Sequence, residues 1–267
     1  MRQLSEIDNM KEERTVSKWN VEYHNSVALV TYRNPPDNLL EITSLLELGG
    51  IFDRLADEPD RAKVVVISGG RDGYFIDHLD ISGRPDWFKV GRRGEWRSPE
   101  FESLLDVFHQ LEEIPQPTIA AIDGLAAGGG SEIALACTLR VGSPRARLQQ
   151  SEILAGVIPG GGGTVRLPRL VGPGIAAEVI LSGRVFQAEE ALRVGWLNAI
   201  LPAEGFIDNS LRWAEQIAQN SGPALIAAKK SINDSLRLPF REAIAREREI
   251  SLRNMATTSL VAGAAQR

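Results

Sequence analysis

The sequence predicts an α/β fold, and three observations carry that prediction. Residues 63–68, KVVVIS, and 118–122, TIAAI, are uninterrupted apolar runs bounded by turn residues, as in parallel strands buried on both faces. Segments around them space their apolar residues at helical intervals, as in 39–57 with Leu48, Ile51 and Leu55. The triplet Gly128-Gly129-Gly130 follows the second run and precedes the helix-forming stretch 131–138. It therefore sets a helix N-terminus, with free N–H groups and a positive dipole end, where backbone can approach a ligand closely. Glu132 is expected in the first turn of that helix, and Glu152 stands just before a Gly/Pro turn over 156–163. An anion-stabilising backbone flanked by two carboxylates suits acid–base chemistry.

The other elements follow in order. Residues 1–17 read as a polar tail. Residues 21–32 alternate and predict a hairpin turning at His24-Asn25-Ser26, stopped by Asn34-Pro35-Pro36-Asp37. Residues 69–83 form a loop after the first buried run. In 84–97, Trp87 and Phe88 are too apolar for a free loop and are expected to line a pocket or interface. Residues 101–113 predict an amphipathic helix with Leu104, Leu105, Phe108 and Leu111 inward. Short helices are expected over 164–171, 174–182 and 188–195, then a strand over 198–201. Three helices, 206–220, 223–235 and 239–255, precede a small-residue tail. This predicts a core over 18–202 and a helical region over 203–267.

Composition narrows the function classes. Of 267 residues, 43% are hydrophobic, enough for a sizeable core. The net charge of −5 argues against nucleic acid or an anionic membrane as partner. Arg140, Arg145, Arg147, Arg166 and Arg169 lie close in sequence, and their plainest reading is solvated loop and helix faces. Cys137 is the only cysteine, so no internal disulfide forms and a reducing, cytoplasmic setting is expected. The N-terminus lacks the apolar stretch of a secretory signal, and no run is long enough to span a membrane. His24, His78 and His109 are dispersed and give no metal-ligand spacing.

Four stretches together resemble the crotonase superfamily, and within it the enoyl-CoA hydratases. They are Pro115-Gln116-Pro117-Thr118-Ile119-Ala120-Ala121-Ile122-Asp123-Gly124, Gly128-Gly129-Gly130-Ser131-Glu132, Gln150-Ser151-Glu152-Ile153 and Gly156-Val157-Ile158-Pro159-Gly160. The likeness extends more weakly over 21–252. It implies a crotonase-like spiral of repeated ββα units with a C-terminal helical trimerisation region, assembled as a trimer or dimer of trimers. It implies an acyl-CoA thioester substrate, coenzyme A being part of that substrate, with no prosthetic group and no metal. Glu132 and Glu152 would be the catalytic acid–base pair. Backbone N–H groups of Asp77 and Gly129 would form the oxyanion hole, with Gly160, His78, Leu79 and Asp80 positioning water or substrate. Asp77, His78 and Leu79 stand where the family has Ala, Gly and Ala. Turned inward, the His78 side chain would bind a polar group or add an acid or base; turned outward, it is solvated.

The resemblance implies hydration of a 2-enoyl-CoA thioester, with double-bond isomerisation or a biosynthetic dehydratase or decarboxylase as alternatives. Other glycine-rich readings fit less well. A P-loop needs a lysine that Gly161-Gly162-Gly163-Thr164 lacks, and a dinucleotide fingerprint starting at Gly128 meets Ile133 where it needs glycine. A nucleophile elbow at Ser131 likewise ends on Ile133. A serine hydrolase of related fold would need a histidine near Glu152, where Ile153 and Leu154 stand. A non-catalytic scaffold would not need both carboxylates.

Overall fold

A computed structural model describes residues 17–80 and 99–257, with backbone alone for 99–104. The expectations for the N-terminal tail, for Trp87, Phe88 and Leu104, and for the last ten residues lie outside the described side chains.

The N-terminal hairpin forms as read: β1 (Trp19–His24) pairs antiparallel with β2 (Val27–Tyr32), with Asn25 left-handed in the turn. Helix α1 (Ile42–Asp57) leads to β3 (Val64–Ser68), and α2 (Pro99–Glu113) to β4 (Thr118–Ile122). β2, β3 and β4 run parallel and side by side, extended by β6 (Leu139–Gly142) and the short β9 (Ala199–Ile200). The two-residue period of a strand explains why these runs are apolar at every position. Ala28, Val30, Val65, Ile67, Ala120 and Ile122 face one core, with α1 and α2. Val27, Leu29, Val64, Val66, Ile119 and Ala121 face the other. That second face is covered by Phe206, Leu211, Ala214 and Ala218 of helix α7 (Phe206–Ala218), so the apolar core continues past residue 202. Each fully buried Val or Ile contributes roughly 1.5–3 kcal/mol, which makes this two-faced sheet the principal stabilising element.

A smaller sheet of β5 (Leu125–Ala127), β7 (Arg147–Gln149) and β8 (Phe186–Gln187) contributes Ala126, Leu148 and Phe186 to the first of these cores. Helix α3 (Gly128–Ala136) follows β5 directly, and a 3₁₀ turn, Glu152–Ala155, follows β7. Then come α4 (Gly163–Val171), α5 (Pro173–Ser182) and α6 (Ala188–Arg193). After α7, α8 (Gly222–Arg237) and α9 (Phe240–Thr257) pack on each other; α9 has no buried residue.

The arginine cluster departs from the sequence reading in part. Arg140 is buried and donates to the carbonyls of Trp196 and Cys137. Arg145 pairs with Asp123 at 2.6 Å, and Arg166 with Glu112 at 2.8 Å. These cations bind the protein itself because buried carbonyls and carboxylates leave no cheaper partner.

Candidate active site

The parallel strands deliver their loops to one end, where ligands bind in α/β sheets. β3 leads into loop 69–80, β5 into α3, and β7 into Ser151 and Glu152. The loop lies directly against α3. A Cβ on Gly130 would overlap the Ile76 carbonyl oxygen, and one on Gly124 would overlap the Gly73 carbonyl. Only glycine permits this approach. Asp123 fastens the same contact: its Oδ2 accepts from Gly73 N–H at 2.7 Å, and Arg145 holds the carboxylate from the other side.

The helix begins at Gly128 rather than after the triplet, so Glu132 is one turn in from the N-terminus, not in the first turn. Ala127 caps it without a side-chain bond, leaving the first N–H groups, Gly129's included, without an intrahelical partner. Gly128 sits at φ +46°.

Loop amides decide the other side of the cradle. Asp77 N–H donates to the Asn38 carbonyl at 3.1 Å, so it is not available to a ligand. His78 N–H donates to Asp77 Oδ1 at 2.7 Å, and Asp80 N–H to the Leu40 carbonyl at 2.7 Å. Leu79 N–H has no partner among the described residues. It lies 3.5 Å from where a Gly129 Cβ would stand. The assignment of Asp77 as donor is therefore corrected: the amide beside Gly129 is Leu79's. The cause is Asn38, which the sequence reading passed over. It is fully buried and left-handed at φ +62°, and it donates to the Tyr32, Gly69 and Phe75 carbonyls while accepting from Asn34 N–H. Asn tolerates that conformation better than most residues, and this was the available signal.

Glu132 is 4% exposed, and its Oε1 accepts from Gly163 N–H at 2.8 Å. Burial, with Glu152 adding to it, pushes its pKa up to about 7 against the pull of the Gly163 and Gly161 N–H groups. Arg166 donates to the Gly161 carbonyl at 2.8 Å and so braces that turn. A Cβ on Gly161 would stand 2.6 Å from Glu132 Oε2 and 2.7 Å from Phe108 Cε2. Glu152 is half-buried, and its Oε2 is enclosed without a hydrogen-bond partner among the described residues. Burial raises its pKa, partly offset by a backbone bond within Glu152 and by His78. Two carboxylates in different surroundings, the charge of Glu152 acting on Glu132, are able to divide acid and base roles.

Gly160 stands open, with Leu105 alone of the described residues within 4 Å of a Cβ there. Ser131 is fully buried and accepts from Gln150 Nε2 at 2.9 Å, which leaves no nucleophile exposed at that position. Cys137 is buried and its thiol is pushed up to about 12, as expected of a core residue. A groove of about 780 Å³ beside β1 and β2, lined by Trp19, Arg33 and Arg71, contains none of these groups.

The enoyl-CoA hydratase/isomerase family profile matches residues 22–264. A short-chain-enoyl-CoA hydratase of Clostridium acetobutylicum is 32% identical over 231 residues, 86% of either chain. A glyoxysomal fatty acid beta-oxidation multifunctional protein of Cucumis sativus is 38% identical over 202 residues, 74% of this chain and 27% of its own length. The chain thus spans about a quarter of such plant relatives. The crystal structure of an enoyl-CoA hydratase from Bacillus anthracis superposes with a TM-score of 0.83 at 29% identity, covering 92% of this chain and 94% of that one.

Proposed function

The chain belongs to the enoyl-CoA hydratase/isomerase family, and from that premise we propose that it adds water across a 2-enoyl-CoA thioester, or removes it in reverse. The observation that carries this reading is the unequal glutamate pair beside a two-amide cradle. The thioester carbonyl is taken by the N–H groups of Leu79 and Gly129, which stabilise the enolate as charge develops; one such donor is typically worth roughly 2.7–4 kcal/mol of barrier. Glu132 and Glu152 hold one water between them. Its oxygen adds to C3, a proton reaches C2, and the product gains one water with no other co-reactant. Gly160 N–H steadies that water, and coenzyme A enters and leaves as part of the thioester.

Isomerisation would shuttle one proton without water and needs only one of the carboxylates. The presence of both, each raised above its ordinary range, favours hydration. Assembly into a homotrimer or a dimer of trimers is supported by apolar side chains left open to solvent, Ile158 and Leu181 among them, and by Phe240 at 80% exposure on α9. No helix among the described residues is long and apolar enough to cross a membrane, and the single buried thiol suits a reducing, cytosolic setting.

The test is incubation with enoyl-, 3-hydroxyacyl- and malonyl-type CoA thioesters, read by chromatography and mass. Gain of one water on the enoyl thioester is expected. An isobaric shift alone, or loss of carbon dioxide alone, would overturn the reading.

A further inference from the structure

The departure at loop residues 77–79 has a structural consequence beside the glutamate pair. Asp77 Oδ1 accepts both the His78 N–H, at 2.7 Å, and a hydrogen bond from Nδ1 of the same imidazole, at 2.9 Å. The carboxylate thus fixes the ring's tautomer and orientation. The Asp77 side chain is mostly buried while the His78 ring is half exposed. A Cβ on Gly128 would stand 3.0 Å from His78 Cβ, 3.3 Å from Ser151 Oγ and 3.4 Å from Glu152 Oε1. The histidine and the glutamate therefore flank the same small space, opened by the missing side chain of Gly128. Glu152 Oε2, meanwhile, is enclosed with no hydrogen-bond partner among the described residues.

We infer that Asp77 and His78 form a couple that keeps a positive charge beside Glu152 and so settles which glutamate holds the catalytic proton. His78 is a positioning residue in this arrangement, acting through Glu152. For what the charge accomplishes, the inference rests on the hydration reading; the couple itself does not depend on it. Among the described residues, the charged groups around it are these. Asp77 and Asp80 lie on the loop, and Glu132 lies on α3. Arg166 on α4 is held by Glu112, and Glu178 on α5 by Arg184. The Asp77 bond chiefly raises the His78 pKa, with smaller contributions from Asp77, Asp80 and Glu152 as charges. In return the His78 charge works against the burial that raises the pKa of Glu152. Glu132 is more deeply buried, and its own cationic neighbour, Arg166, is already paired with Glu112, so Glu132 keeps the proton. A glycine at position 78 would supply no such bias.

Two measurements test this. The imidazole resonance of His78, identified by its loss in His78→Gln, is titrated by NMR in the wild type and in Glu152→Gln. Its midpoint should fall by about one pH unit, the low end for removing an opposite charge at several ångströms from a half-exposed group. Backbone amide resonances away from the site should not move, which reports an intact fold. Separately, the acid limb of kcat/KM for enoyl thioester hydration reports the free enzyme's ionisations. It should move upward by about one pH unit in His78→Gln, and in the same direction in Asp77→Asn. An unchanged His78 midpoint in Glu152→Gln would overturn the couple. So would a uniform loss of activity in His78→Gln with the limb in place, as a structural role would give. A shifted midpoint in a protein that hydrates no thioester would instead sink the hydration reading and leave the couple standing.

Discussion

Replacing Glu132 by Gln should make the protein more stable at alkaline pH while making it a poorer catalyst. The residue is only 4% exposed, and burial pushes its carboxyl from 4.5 up to about 7. Between those values the folded state holds a proton that the unfolded chain has released. Raising the pH through that window therefore favours unfolding, and the stability is lost by the time pH passes about 7. At about 1.4 kcal/mol per pH unit, the gap amounts to roughly 3 kcal/mol at most, because Glu132 and Glu152 titrate together. Glutamine keeps an acceptor for Gly163 N–H and never ionises. Urea unfolding at about pH 5 and about pH 8, at fixed protomer concentration so that assembly contributes equally, gives the comparison. The wild type should lose roughly 2–3 kcal/mol more than Glu132→Gln across that interval. Identical pH dependence in the two proteins would show that Glu132 is not the buried, proton-holding member, and the reasoning from its burial would fail.

Other perturbations probe the cradle. Leu79→Pro removes the amide beside Gly129 and should lower kcat by on the order of 10²–10³, whereas Asp77→Ala, which keeps the Asp77 amide on Asn38, should retain measurable turnover; steady-state kinetics showing full turnover in Leu79→Pro would remove the donor role from Leu79. Gly161→Ala forces a methyl against Glu132 Oε2 and Phe108 and should cost about 1–3 kcal/mol together with hydration, read by thermal unfolding and turnover; a neutral variant would mean that turn is loosely packed. Asn38→Ala leaves several buried carbonyls and one N–H without partners, each costing about 1–3 kcal/mol, so its unfolding midpoint should fall well below that of any surface substitution.

What the sequence disclosed follows physical lines. β3 and β4 were legible because strands buried on two faces must be apolar throughout, and VVVIS and TIAAI are. β5, β7 and β8 are two or three residues long, too short for any period to register. The start of α3 was misplaced because three glycines are poor helix formers; their reason is tertiary, the passage of loop 73–80 across Gly124 and Gly130. Glu132 and Glu152 stood out through their turn context and the family resemblance. The choice between the amides of Asp77 and Leu79 had no local sign. It is made by the Asn38 carbonyl, brought in by a separate turn of the chain. The Gly163 and Gly161 amides on Glu132 were invisible for the same reason.

The central claim is that Glu132 and Glu152 act together on one water. Hydration rates of the wild type, Glu132→Gln, Glu152→Gln and the double variant on a short 2-enoyl-CoA thioester test it most directly. General acid–base catalysis contributes on the order of 10²–10⁴-fold, so each single variant should lose about that much. Groups acting as a unit are non-additive, so the double variant should lose far less than the product of the two single losses. Hydration near the wild-type rate in the double variant would contradict the account.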